Sequence, residues 1–180
     1  MKVDQKLIEQ IIPKFSSANW KESQWFDNSS ILQKLSSEEL KQVEKLLIEK
    51  MEDDDDQLIP ETLVKIQSTD SVPFILKKIL LMDDPFEKIA WASFMNDLIE
   101  GHAEAEEIAF SEFQKLEFIY EIQGSIFMSL VKFRSQRIND HIKTFINHKY
   151  SLVAYHAKLA INYKGISDDY YKNYYDKKRW

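Results

Sequence analysis

Histidines are the residues of this 180-residue chain best suited to acid–base or metal chemistry, because the chain has no cysteine. His148 and His156 stand eight positions apart, which on one α-helix rotates them by about 80° and separates them by about 12 Å. A single helix therefore does not bring both to one metal ion. His156 instead falls in an apolar stripe at helical spacing, which predicts a neutral histidine buried in a helix core. The stripe is Leu152, His156, Leu159 and Tyr163.

Two further groups of polar side chains have ligand types that metals accept. Asp140 and His141 precede the turn that holds His148, and the three would form a site only if two helices brought them together. His102 and Glu106 have the i, i+4 spacing of one helical face, but two ligands without a third make a weak site. We expect a solvated acidic face there, and the sequence predicts no metal ion and no cofactor.

The acidic run MEDDDDQLIPET is the densest charge in the chain. Counted as a calcium loop from Asp53, it has Leu58 where glycine is required and Val64 where glutamate is required. We therefore interpret it as an acidic loop between helices that docks on a basic protein. The residues predicted to bind that partner, in this run and in 97–107, are Glu52, Asp53, Asp54, Asp55, Asp56, Asp97, Glu100, Glu104, Glu106 and Glu107.

Charge is divided unevenly along the sequence. Residues 1–130 hold 13 lysines and 26 acidic residues, a net charge of −13, whereas residues 131–180 hold 11 basic and four acidic residues, a net charge of +7. This division predicts an acidic body and a basic end, and an acidic body repels nucleic-acid phosphates. The sequence also lacks the G-x-S-x-G, H-E-x-x-H and phosphate-loop motifs. We expect the aromatic and basic residues 166–180 to cap the last helices or to form a tail.

Helices must position these residues. Glycine supplies only 3 of 180 residues, whereas sheets with tight turns depend on it. Ser36 with Glu39 forms a predicted capping box, and Asp84 followed by Pro85 is a second helix start. Ser111 is a third predicted start, for a segment 112–133 that is one helix or two helices broken near Phe118. Apolar periodicity predicts helices over 3–14, 29–35, 38–51, 56–67, 72–81, 85–99, 103–109, 112–133, 136–147, 149–164 and 168–177.

A loose repeat is present in the helical part of the sequence. EKIAWASFMNDL, YEIQGSIFMSLV and SLVAYHAKLAINY align with Ile89, Ile122 and Val153 in register, 33 and 31 residues apart. Shorter amphipathic segments precede the first and third stretches. Over roughly residues 38–164 this pattern resembles HEAT-like α-helical repeats, which implies a stack of helical hairpins. An irregular helical bundle is the alternative.

The sequence thus predicts an all-α fold, a short HEAT-like right-handed stack of hairpins, in one domain over 1–180. Within it, 1–35 form an N-terminal capping region, 36–165 the repeats and 166–180 the cap or tail. Asp4 and Glu9 interrupt the apolar pattern of the N-terminus, so we expect no signal peptide. The uncharged run Ile122–Val131 is shorter than a membrane span, and we expect a cytoplasmic protein that binds no membrane.

These observations favour a non-catalytic protein-binding module. Our hypothesis is an immunity protein that neutralises a cognate basic bacterial toxin, for example a nuclease. Its grounds are the acidic charge and a composition rich in Lys, Ile, Asn, Phe and Tyr, which is typical of AT-rich mobile genes. The alternatives are an adaptor or scaffold protein, or a helical metal- or nucleic-acid-dependent enzyme that uses His141, His148 and the basic C-terminal region.

Overall fold

Helices account for the regular structure of the described chain. A computed structural model describes Val3 and residues 5–14, 26–116 and 125–162. These residues form ten α-helices and one 3-10 helix and include no strand, so the prediction of an all-α fold is confirmed.

The chain divides into two compact units. The first unit comprises Met1–Leu81 with Asp97–Ile99, and the second comprises Met82–Asn96 with Glu100–Trp180. A single domain over 1–180 stays a prediction. Each unit has its own buried core; among the described residues, that of the first unit is aliphatic, whereas that of the second also contains aromatic side chains such as Trp91, Phe113 and Phe127.

Capping and turn residues set the helix limits of the first unit. Ser36 and Glu39 form the predicted capping box, with Ser36 Oγ accepting from the Glu39 amide at 3.3 Å and Glu39 Oε2 accepting from the Ser36 amide at 2.8 Å. Gln67, just after a helix, has a φ of 58°, the left-handed conformation that glycine usually supplies. The elements are α1 Gln5–Ile11, α2 Ser29–Leu32, α3 Ser37–Met51, α4 Leu58–Lys65, the 3-10 helix Thr69–Ser71 and α5 Val72–Leu81.

The core of the first unit lies where α3 packs against α1 and α4. Leu47 of α3 and Leu63 of α4 are fully buried, as are Ile11 at the end of α1 and Ile75 of α5. These positions follow the apolar periodicity of the sequence. The predicted helices 38–51, 56–67 and 72–81 are therefore present, with ends that differ by no more than two residues.

Helix starts in the second unit also follow local sequence. Asp84 Oδ1 accepts from the Phe86 amide at 2.8 Å, as expected of the cap before Pro85. Gly101 turns the chain between two helices with a φ of 74°. The elements are α6 Pro85–Leu98, whose last two residues group with the first unit, α7 Ala103–Lys115, α8 Ser125–Val131, α9 Gln136–Lys143 and α10 Ser151–Asn162.

The predicted helices 103–109 and 112–133 are wrong in their boundaries. Helix α7 runs without a break from Ala103 to Lys115, so Ser111 lies inside it and does not cap a new helix. The reason is that Ala105, Ala109 and Phe113 continue one buried face at i, i+4 and i+8. Phe118 and the predicted helix 168–177 lie outside the described residues.

The predicted burial of His156 is also wrong. His156 is only half-buried, and its stripe neighbours Leu152 and Leu159 are 45% and 41% exposed. The buried face of α10 consists of Val153, Ala154, Ala157 and Ala160. Helix α10 contacts α8 and α9, and small side chains permit the close approach that larger ones would block.

Among the described residues, no helix combines the length and the apolar character needed to cross a membrane.

Candidate binding surfaces

The acidic loop, residues 52–56, connects α3 to α4 and folds onto lysines of its own unit. Asp54 pairs with Lys50 at 2.8 Å, and this hydrogen bond lowers the pKa of the Asp54 carboxyl. Asp55 pairs with Lys78, whose side chain is largely buried, at 2.6 Å. Much of the charge that the sequence places in the loop is therefore compensated within the molecule.

Two acids of the loop have a structural role. Asp56 Oδ1 accepts from the Leu58 amide at 2.9 Å, at the first residue of α4. Asp54 Oδ1 accepts from the Asp56 amide at 3.2 Å and so shapes the turn. Asp53 is exposed and forms no ion pair with a described residue, and Glu52 makes only an exposed pair with Lys77 at 3.5 Å. Glu52 and Asp53 are thus the loop acids available to a partner.

An open groove, which we call the α3–α5 groove, lies beside this loop within the first unit. It holds about 330 Å³ including its mouth. Glu52 of the loop and the two lysines of α5, Lys77 and Lys78, form its polar rim. The Nζ of Lys78 also donates to the Glu52 carbonyl at 3.3 Å. The apolar lining of the groove consists of Ile48, Met51, Phe74 and Leu81.

The second predicted acidic segment is largely paired with arginines that follow α8. Glu100 pairs with Arg134 at 2.6 Å, and Arg137 pairs with Glu106 at 2.7 Å and Glu107 at 2.6 Å. These are the two arginines in the described residues, and both belong to the basic C-terminal third of the sequence. The acidic and basic stretches that are separate in sequence therefore meet in the second unit.

The predicted partner-binding residues of this segment differ in how accessible they are. Glu106 Oε1 also accepts from Ser135 Oγ at 2.7 Å, and this bond lowers the pKa of the Glu106 carboxyl. Glu104 is exposed in the first turn of α7 and has no ion pair with a described residue. Asp97 lies exposed in the last turn of α6, in the first unit. The structure leaves Glu104 as the acid of α7 that a partner reaches without breaking a pair.

Net charge differs between the two units. The described residues of the first unit include nine lysines and 14 acidic residues, a net charge of −5. Those of the second unit include six lysines, two arginines and nine acidic residues, a net charge of −1 with histidine neutral. The acidity of the chain therefore belongs mainly to the unit that carries the α3–α5 groove.

His141 lies in an aromatic cluster and not in a metal site. Its ring is edge-on to Phe113 at 4.6 Å, to Phe145 at 5.5 Å and to Phe110 at 6.1 Å between centroids. Burial lowers the pKa of the His141 imidazole, because the charged form loses hydration there. Asp140 binds Lys143 at 2.6 Å instead.

His148 and His102 are not brought together with other metal-ligand side chains of the described residues either. His148 stands before α10, where its Nδ1 accepts from the Tyr150 amide at 3.3 Å. His102 is the N-cap of α7, with Nδ1 accepting from the Ala105 amide at 3.3 Å, whereas Glu106 bonds Arg137 and Ser135. Within the described part of the chain, no three His, Asp or Glu side chains are placed to hold a metal ion.

A buried polar network in the first unit was not predicted from the sequence. Asn28, fully buried, donates from Nδ2 to Thr62 Oγ1 at 2.7 Å and accepts at Oδ1 from Lys65 Nζ at 3.0 Å. Burial alone would lower the pKa of Lys65, but Glu61 and Asp27, at 3.0 and 3.2 Å, outweigh it and raise that pKa. The local signal, Asp-Asn-Ser before a short helix, predicts only a helix start.

No protein-family model, no characterised protein and no solved structure matches this chain.

Proposed function

We propose that this protein is a non-catalytic inhibitor that binds and neutralises a basic bacterial toxin, for example a nuclease, as an immunity protein does. The observation that supports the proposal is the charge of the first unit, which is −5 over its described residues and includes no arginine there. A charge of this sign accelerates association with a basic protein and repels nucleic-acid phosphates.

The ion pairs and hydrogen bonds limit which acidic residues are available to bind such a partner. Asp54 and Asp56 hold the acidic loop in shape, so their removal would disturb the fold as well as the charge. Glu52 and Asp53 are exposed and weakly engaged, which makes them the acids of this loop that meet the partner. Glu104 is the corresponding residue in the second unit.

We also infer that residues 36–165 are arranged as a short HEAT-like right-handed stack of helical hairpins. Mutual contacts of α8, α9 and α10 support this inference. The buried alanines Ala154, Ala157 and Ala160 support it as well, since small residues let stacked helices approach closely.

Capture of the partner tests the proposed function. The tagged full-length protein is purified from its source cells in low and in high salt, and the bound proteins are identified by mass spectrometry. We expect one stoichiometric basic protein that is lost as salt rises, and whose toxicity the purified chain suppresses. Retention of metal or nucleic acid with no bound protein would overturn the proposal.

A matched pair of charge reversals tests the acidic loop. Asp53→Lys and Glu38→Lys change the net charge equally, and Glu38 lies in the first turn of α3, about 20 Å along the helix from the loop. At 0.1 M salt we expect Asp53→Lys to slow association about ten-fold and Glu38→Lys much less, because the field of a charge decays over about 10 Å at that salt concentration. Equal slowing by both variants would show that only the net charge matters.

A further inference from the structure

We propose that the α3–α5 groove receives a basic amphipathic helix of the partner, with an apolar side chain seated between Phe74 and Leu81 and a cation beside Asp53. This inference rests on the proposed function, because the toxin is the protein that would supply the helix. It adds the shape and chemistry of the segment that is recognised.

The groove has a buried floor and an exposed wall. Met51 of α3 is buried, whereas Phe74 and Leu81 of α5 are 43% and 72% exposed. Phe74 and Leu81 are seven residues apart on α5, so they share a face and lie about 10 Å apart along the axis. An apolar face of this kind, two turns long, matches the i, i+3, i+7 anchors of a helix that binds in a groove.

Charge around the groove selects a basic occupant. The two rim lysines are balanced by Glu52 and Asp55, at 3.5 and 2.6 Å, so the rim itself is close to neutral. Asp53 follows the rim residue Glu52 in the chain, is exposed and forms no ion pair with a described residue, and the described residues of this unit have a net charge of −5. A cationic helix gains from this field, and an anionic helix is repelled by it.

Labelled peptides test the groove directly. Three peptides of equal length are titrated against the full chain by fluorescence anisotropy: a leucine-faced helix with lysines on its polar face, the same helix with glutamates, and a lysine peptide with its leucines scrambled. We expect the first peptide to bind at least about ten-fold more tightly than either of the others. Equal binding of the three, or no binding of the first, would overturn the inference.

Neighbouring leucines of α5 supply a matched control. Leu80 and Leu81 are almost equally exposed, at 70% and 72%, but only Leu81 lines the groove. We expect Leu81→Lys to weaken binding of the basic peptide about ten-fold and Leu80→Lys to change it less than about two-fold. Far-UV circular dichroism of both variants checks that their helices are intact. Equal effects of the two substitutions would contradict seating in the groove.

Self-association is the other occupant that the test detects. A dimer in sedimentation experiments that Leu81→Lys dissolves and Leu80→Lys leaves intact would assign the groove to a second copy of this chain and overturn the inference. The proposed function is judged separately. If a captured basic toxin binds the Leu81→Lys variant as tightly as the unmodified protein, the groove inference fails while the inhibitor function stands.

Discussion

Replacing Asn28 with alanine tests whether one buried amide holds the first unit together. Its side chain is fully buried at the start of α2. The Nδ2 donates to the Ile11 carbonyl at 3.1 Å and to Thr62 Oγ1 at 2.7 Å, and Oδ1 accepts from Lys65 Nζ at 3.0 Å. Asn28 therefore connects the end of α1, the start of α2 and the body of α4.

The expected loss of stability follows from which hydrogen bonds each partner of Asn28 keeps in the variant. After Asn28→Ala, Thr62 Oγ1 still donates to the Leu58 carbonyl at 2.6 Å, and Lys65 keeps its carboxylate partners. The Ile11 carbonyl loses the bond that Asn28 supplied. Two neutral hydrogen bonds at about 1 kcal/mol each and one to a charged group at about 1.5 kcal/mol give a destabilisation of about 3.5 kcal/mol.

Urea unfolding followed by far-UV circular dichroism measures this loss. Thr62→Val removes the bond from Asn28 and the bond to the Leu58 carbonyl, and should cost about 2 kcal/mol. Only the first bond is shared with Asn28, so the double variant should show a coupling of about 1 kcal/mol between the two positions. Ser30→Ala, at the exposed residue two positions away, is the control and should change stability by less than about 0.5 kcal/mol. An Asn28→Ala cost under about 1 kcal/mol, or strict additivity in the cycle, would refute the network argument.

Two further predictions concern stability. Gln67→Gly should raise the free energy of unfolding by up to about 1 kcal/mol in the same urea assay, because Gln67 is exposed and left-handed at φ 58°. Gln67→Ala, which keeps the strain, should bring no such gain, and a destabilised glycine variant would contradict the reasoning. Because burial lowers the pKa of His141, the unfolded chain binds a proton below pH 6.5 that the folded chain does not. Stability should therefore fall as pH drops from 6.5 toward 5, and His141→Phe should flatten that slope; an unchanged slope would exclude His141 as its cause.

Local sequence signals predicted most of the helices because their physics is local. The Ser36–Glu39 capping box and the Asp84 cap satisfy amide groups within a few residues, so they form wherever the chain goes next. The break expected at Ser111 failed because the cap signal was weak and the buried face of α7 continued through it. Burial of a continuous apolar helix face therefore outweighs a weak helix-capping preference at a residue within that helix.

The sequence pattern could not predict which face of α10 is buried. The sequence favoured the stripe through Leu152 and Leu159 because large apolar residues give the stronger periodic signal. Packing against α8 and α9 instead required small residues, and Ala154 and Ala157 face the core. The distance between neighbouring helices decides this outcome, and no local pattern contains that distance.

The acidic charge, the shortage of glycine and the absence of cysteine were determined by the sequence itself, and with them the all-α fold. Tertiary structure alone decided which charges remain available. It paired Arg137 with Glu106 and Lys78 with Asp55, and it left Asp53 exposed next to Glu52, a residue of the α3–α5 groove. The physical reason is that charge composition is a sum over the chain, whereas an ion pair depends on atoms within about 4 Å that lie far apart in sequence.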